Sequence, residues 1–214
     1  MPAIDFSQGS QPIRRYDVIG QHAPGVNRFV KHVALSNTEL GSVHHDQEVE
    51  VVHMGPPLDR AGKIKAQVSG TVPLTNEEIK EIEAWIAGIA DEYKRESSGL
   101  LQQYWIHPPW KDELDPNTQV RRYRRYSCAG FVLDGYRQVD IELLQISEEA
   151  LPEVNQETIV KAYGVAPRLF QRFGIVGQGP WRIVLAGYVL HAMDRSPQEI
   201  RQQAYQAQTG DEQF

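Results

Sequence analysis

A single cysteine, Cys128, occurs among the 214 residues, so no disulfide can staple the chain internally. Without that staple the fold rests on its apolar core, and this length buries enough surface for one domain or one domain with an insert. A lone thiol also suits a reducing compartment, and a cytoplasmic location is expected. Long apolar runs are missing as well: no stretch reaches the roughly 20 residues that a helix needs to cross a bilayer. The longest, around Ile183 to Val189, reads as buried. The N-terminal stretch has no apolar segment of the kind a secretory leader carries. Positive charge is in deficit. Lys and Arg number 22 against 28 Asp and Glu, a formal net charge of −6, and they do not form the basic face that nucleic acid requires. Gly177 and Gly179 lack the spacing of a phosphate-binding loop. No short-spaced His or Cys pair of the zinc-binding type occurs, so neither a metal nor a cofactor is expected. Nothing in the pattern specifies an oligomer.

What the chain does have is a helix start built around its one thiol. Apolar residues at Phe131, Val132, Tyr136 and Val139 repeat at helical spacing after Cys128. Ser127 is a suitable N-cap. Cys128 is therefore expected in the first turn of a buried helix, where unpaired N–H groups and the helix dipole favour a thiolate and can hold an oxyanion. Arg121, Arg122, Arg124 and Arg125 lie just upstream and read either as a solvated edge or as a source of positive field on that thiolate. Two strand-like runs carry histidine: Phe29 to Leu35 contains His32, and Val49 to Met54 contains His53. Paired antiparallel through the polar segment 36–48, they would put the two imidazoles side by side. His44 and His45 fall in that polar segment and read as solvated loop residues.

Taken together, His32-Val33-Ala34-Leu35, then Val51-Val52-His53-Met54-Gly55-Pro56-Pro57, then Ser127-Cys128-Ala129-Gly130-Phe131-Val132 resemble the permuted papain-like fold of the NlpC/P60 superfamily, in its LRAT-like and YiiX/YaeF-like branches. The order His, His, Cys is the permuted one. Tyr16-Asp17-Val18-Ile19 is similar to the strand that opens that form. The matched pieces cover about a fifth of the chain. Ala129-Gly130 after the cysteine leans toward the amidase branches. The loop between the histidines is longer than in LRAT-like proteins, and a helix is inserted between His53 and Cys128. The resemblance implies an α+β fold in which an antiparallel sheet carries the histidines and the cysteine helix packs on it, with extra helices. It implies a thiol hydrolase of amidase or peptidase type, or alternatively an LRAT-like lipid acyltransferase or thioesterase, or a non-catalytic binding module on the same fold. The implied substrates are a peptide, a peptidoglycan fragment or a lipid acyl group.

In that scheme Cys128 is the nucleophile, His32 its base and His53 the group that orients His32. Tyr16 and Tyr126 are candidates for an oxyanion donor, and the aromatic segment with Trp105 and His107 is a candidate substrate groove. Residues 1–15 are expected as a flexible arm, and 16–214 as one domain with a helical insert around 75–118. Thr75 and Glu78 form a capping box for a helix to about Arg95, with an apolar stripe at Ile79, Ile82, Trp85, Ile86, Ile89 and Tyr93. Residues 63–72 suggest one strand and 140–146 another, and 111–118 a charged turn. Helices are expected over 155–163, 181–193 and 197–208, a helical turn over 167–173, and frayed final residues.

Overall fold

The computed structural model describes residues 3–26, 28–55, 58–96 and 103–214. Strands dominate up to Tyr126 and helices thereafter. The order is β1 (Ile4–Asp5), β2 (Gln11–Ile13), β3 (Val18–His22), β4 (Val30–Ser36), β5 (Leu40–Val43), β6 (Gln47–Met54), β7 (Leu58–Ala66) and β8 (Val68–Gly70). Then follow α1 (Asn76–Arg95), β9 (Trp110–Leu114), β10 (Arg121–Tyr126), α2 (Cys128–Arg137), α3 (Gln156–Tyr163), α4 (Ala186–Met193) and α5 (Pro197–Gln202). Six strands form an antiparallel sheet in the order β1-β8-β3-β4-β6-β7, and two ribbons, β2-β5 and β9-β10, stand apart from it. The class is α+β. Among the described residues no helix is long and apolar enough to cross a membrane.

Strand alternation gives the sheet two apolar faces. On one, Val18, Val33, Leu35, Val52 and Met54 join the core built by α2, α3 and α4. On the other, Ile19, Ala34, Val51 and Ile64 pack under Phe6, Ile13 and Val43. That second face corrects the expectation of an unstructured arm: β1 pairs with β8 and β2 pairs with β5, because Phe6 and Ile13 are the apolar cover that a two-faced sheet needs. The pairing also makes part of the 36–46 segment into β5. His44 and His45 remain exposed on the turn after it, as expected.

Other elements differ for similar reasons. The 63–72 stretch is the end of β7 plus all of β8, two strands rather than one. Part of the charged turn is β9, which pairs with β10 from Leu114 to Trp110. Residues 140–146 form no strand. Their one ladder contact is a parallel bridge from Leu144 to Tyr205, and Ile141, Leu143 and Leu144 bury into the helical layer instead. Only 186–193 of the expected 181–193 helix is helical, since Trp181 bridges to Val154 in extended form. The last helix stops at Gln202, and the chain end is tied down rather than frayed: Val30 N–H donates to Glu212, and Phe214 N–H to Arg28. The capping box at Thr75 and Glu78 forms, and Ile82, Ile86, Ile89 and Tyr93 are the buried stripe of α1. Pro56 and Pro57 of the family resemblance lie outside the described residues.

Candidate active site

The start of α2 is fixed from three sides. Ser127 caps it, its hydroxyl accepting from Gly130 N–H at 2.9 Å, and Ser127 N–H donates to the Pro109 carbonyl. A Cβ on Gly130 would stand 1.9 Å from that same Pro109 oxygen, so only glycine lets the 104–110 segment lie this close to the helix. From within the helix, Asp134 reaches back to β10. Its carboxylate, only 2 % exposed, accepts from Arg124 Nη1 at 2.9 Å and from the Tyr126 hydroxyl at 2.7 Å. Residues 126–128 are thereby held rigidly against the sheet.

Cys128 is 3 % exposed and lies where β4 and β6 have parted. Those strands pair at Leu35–Val52 and Ser36–Val51 and no further. Burial pushes the Cys128 thiol up, against the pull of the backbone N–H groups of Val33, Ala129 and Cys128 itself. The helix-start donors expected from sequence are thus present, but burial outweighs them. The four upstream arginines add little, because each has a carboxylate partner: Arg121 with Glu92, Arg122 with Glu96, Arg124 with Asp112 and Asp134, and Arg125 with Glu113. Arg121 and Arg122 are exposed, as a solvated edge would be, but all four are ion-paired. They tie β10 to α1, β9 and α2.

The structure brings His32 and His53 together. His32 Nε2 and His53 Nδ1 are 2.9 Å apart, with the rings edge to face. Behind them Asp59 Oδ2 stands 3.9 Å from His53 Nε2. Gly62 makes room for this row, since a Cβ there would meet His53 Nε2 at 2.6 Å and Asp59 Oδ2 at 2.9 Å. Sequence reasoning missed Asp59, whose only signal is its place on the strand paired with β6. The row sets proton positions. A carboxylate at His53 Nε2 favours a proton there, which leaves Nδ1 to accept from His32 Nε2–H. His32 Nδ1 then carries the lone pair, and this is the ring nitrogen nearest its own backbone. Alternation places both rings on the Ala34 and Val51 side of the sheet and α2 on the Val33 side. Cys128 and the two imidazole rings therefore lie on opposite faces of the sheet, and among the described residues no hydrogen bond joins Sγ to either ring.

Burial also lowers the His53 pKa, against the Asp59 charge, and pulls His32 down to about 3, with the charges of His53 and Lys31 adding to the effect. The sign follows from linkage. In the unfolded chain a histidine of pKa 6.5 takes a proton that native His32 refuses, so His32 removes stability as pH falls from 6.5 toward 3. Asp17 works oppositely. Burial raises its carboxyl from 3.8 to about 6, so its contribution is lost as pH rises through that range. Between about pH 4 and 6 the two slopes largely cancel. His32→Gln removes one of them. Its stability relative to wild type should improve by about 1.4 kcal/mol for each pH unit lowered across that window, read from urea melts. An unchanged difference between pH 6 and pH 4 would contradict a His32 that stays neutral over that range.

The four tentative site residues from the sequence fall elsewhere or are already engaged. The Tyr126 hydroxyl gives its proton to Asp134. Tyr16 lines a cavity whose other walls do not include Cys128. Trp105 is stacked between Lys111 and Arg125, each 4.7 Å from its ring. His107 is half-buried, with Nε2 3.5 Å from Glu148. Tyr104 and Tyr163 are half-buried, and burial raises both phenol pKa values. Tyr163 donates to the Val184 carbonyl, whereas the Tyr104 hydroxyl donates no hydrogen bond among the described residues. None of the four described cavities is lined by Cys128, His32 or His53, and among the described residues no three His, Cys, Asp or Glu side chains gather as metal ligands would. Comparison with family models, curated proteins and solved structures gives no match.

Proposed function

We propose that this chain is a cysteine-dependent hydrolase of amidase or peptidase type on a permuted papain-like fold, acting through Cys128, His32 and His53. The observation that carries the reading is the His32–His53 pair on β4 and β6, the two strands against which the Cys128 helix packs. His32 Nε2 stands 2.9 Å from His53 Nδ1, with Asp59 behind, while Cys128 is buried at the start of α2 on the other face of the sheet. The resting pair is neutral thiol and neutral imidazole. As Sγ attacks an acyl carbon, its proton passes to His32 Nδ1 through the gap between β4 and β6, which requires the ring to leave its resting place beside His53 on the other face of the sheet. The carbonyl oxygen takes up the negative charge against the Cys128 N–H. The leaving amine or alcohol departs with the proton from His32, which leaves a thioester. Water then attacks, gives its proton to His32, and the thiol is restored as the acid leaves.

A second reading, a binding module on the same fold, draws on the near-complete burial and raised pKa of Cys128. The two separate by acylation. Incubated with p-nitrophenyl acetate and analysed by peptide mass mapping, the hydrolase acquires one acetyl group on Cys128 and releases nitrophenol beyond one equivalent. Cys128→Ser does neither. Nitrophenol release unaffected by that substitution would leave the binding module standing.

A further inference from the structure

Away from the thiol, a cavity of about 450 Å³ opens between the first turns of α1 and the end of the sheet where β3 begins and β4 ends. That volume suits a small organic ligand. Its walls carry Arg15, Arg60 and Lys80 against a single carboxylate, Glu83. Glu83 pairs with Arg15 at 2.7 Å. Arg60 and Lys80 have no carboxylate within ion-pair distance among the described residues, so the cavity keeps two positive charges unmatched. Arg15 is itself incompletely satisfied: its guanidinium lies 5.4 Å from the centre of the Tyr16 ring, and its buried Nε has no hydrogen-bond partner. Tyr16 has a φ of +64°, a conformation that a tyrosine rarely takes. Two bonds hold it there, from Tyr16 N–H to the Ser36 carbonyl and from the Tyr136 hydroxyl to the Tyr16 carbonyl, each 2.9 Å. This turn presents Arg15 and Tyr16 beside an apolar wall of Val52 and Ile86.

Two unmatched cations next to an apolar wall fit one ligand chemistry. A phosphate monoester carries close to two negative charges at neutral pH, against one for a carboxylate, and its organic part would occupy the apolar side. We infer that this cavity binds the phosphate monoester of a small organic molecule. Arginine and lysine hydrogen bonds to phosphate are charge-assisted and strong.

The test is isothermal titration of the full chain with phenyl phosphate and, separately, with benzoate. Saturable one-to-one binding of phenyl phosphate is expected, tighter than that of benzoate and weakened by added salt. Arg60→Ala and Lys80→Ala should each weaken it about tenfold or more. Both side chains are exposed, so both variants should fold, and unchanged circular dichroism melts verify that. Cys128→Ser should bind as wild type does, which keeps this site separate from the thiol. No saturable binding, equal affinity in the variants, or benzoate binding as tightly as phenyl phosphate would overturn the assignment.

Discussion

His32→Ala is expected to slow acetylation of Cys128 by p-nitrophenyl acetate by about 10²- to 10⁴-fold, the usual contribution of a positioned general base. The size of the effect follows from the resting state. With its pKa raised by burial, Cys128 is a thiol at neutral pH, and the four arginines upstream are all ion-paired, so they do little to ionise it. The proton must therefore leave during attack. The base available is the imidazole next to Val33, kept neutral far below pH 7 by its own burial. His53→Ala should cost less, since it removes the group that holds the ring rather than the ring. A loss of under about threefold in His32→Ala would remove His32 from the chemistry.

Asp134→Ala is expected to destabilise the fold by about 3 kcal/mol or more, a fall in Tm on the order of 10 °C. Asp134 is the only described carboxylate inside α2 that is fully buried, and it answers both Arg124 and the Tyr126 hydroxyl. Truncation strands a buried phenol and half-strands a cation, although Arg124 keeps Asp112 at 2.6 Å. The same substitution frees the Tyr126–Cys128 segment, so Cys128 labelling should become faster and less dependent on His32. A change in thermal midpoint within a degree or two would mean that the Gly130 and Ser127 contacts suffice to seat α2.

The parts of this site that were legible in the sequence are those encoded locally. Ser127 and the apolar spacing behind Cys128 specify a capped, buried helix from short-range rules alone, and so do Thr75 and Glu78 for α1. The pairing of the two histidines was legible because their runs are strand-like and separated by one polar segment. What was not legible depends on contacts made late in the fold. Phe6 and Ile13 look like stray apolar residues in a polar arm until the sheet has a second face to cover. Ile141 and Leu143 alternate like a strand, but the segment's one ladder contact is the Leu144–Tyr205 bridge, and its apolar side chains bury into the helical layer. Asp59 carries no local mark of function; it becomes a neighbour of His53 only through β-sheet register. The thiol pKa was misjudged for the same reason. Helix-start donors can be read from sequence, whereas the depth of burial and the pairing of Arg121 to Arg125 cannot.

The measurement that bears most directly on a Cys128 proton passing to His32 is the pH profile of Cys128 alkylation by iodoacetamide in wild type and His32→Ala. Base-assisted attack predicts a wild-type rate nearly flat from about pH 5 to 8, where His32 stays neutral, and a His32→Ala rate that is far lower at pH 5 and climbs about tenfold per pH unit as free thiolate forms. If both proteins instead climb together, with reactivity appearing only near the ordinary thiol pKa of about 8.5 or above, then His32 does not serve Cys128 and the thiol is a structural one.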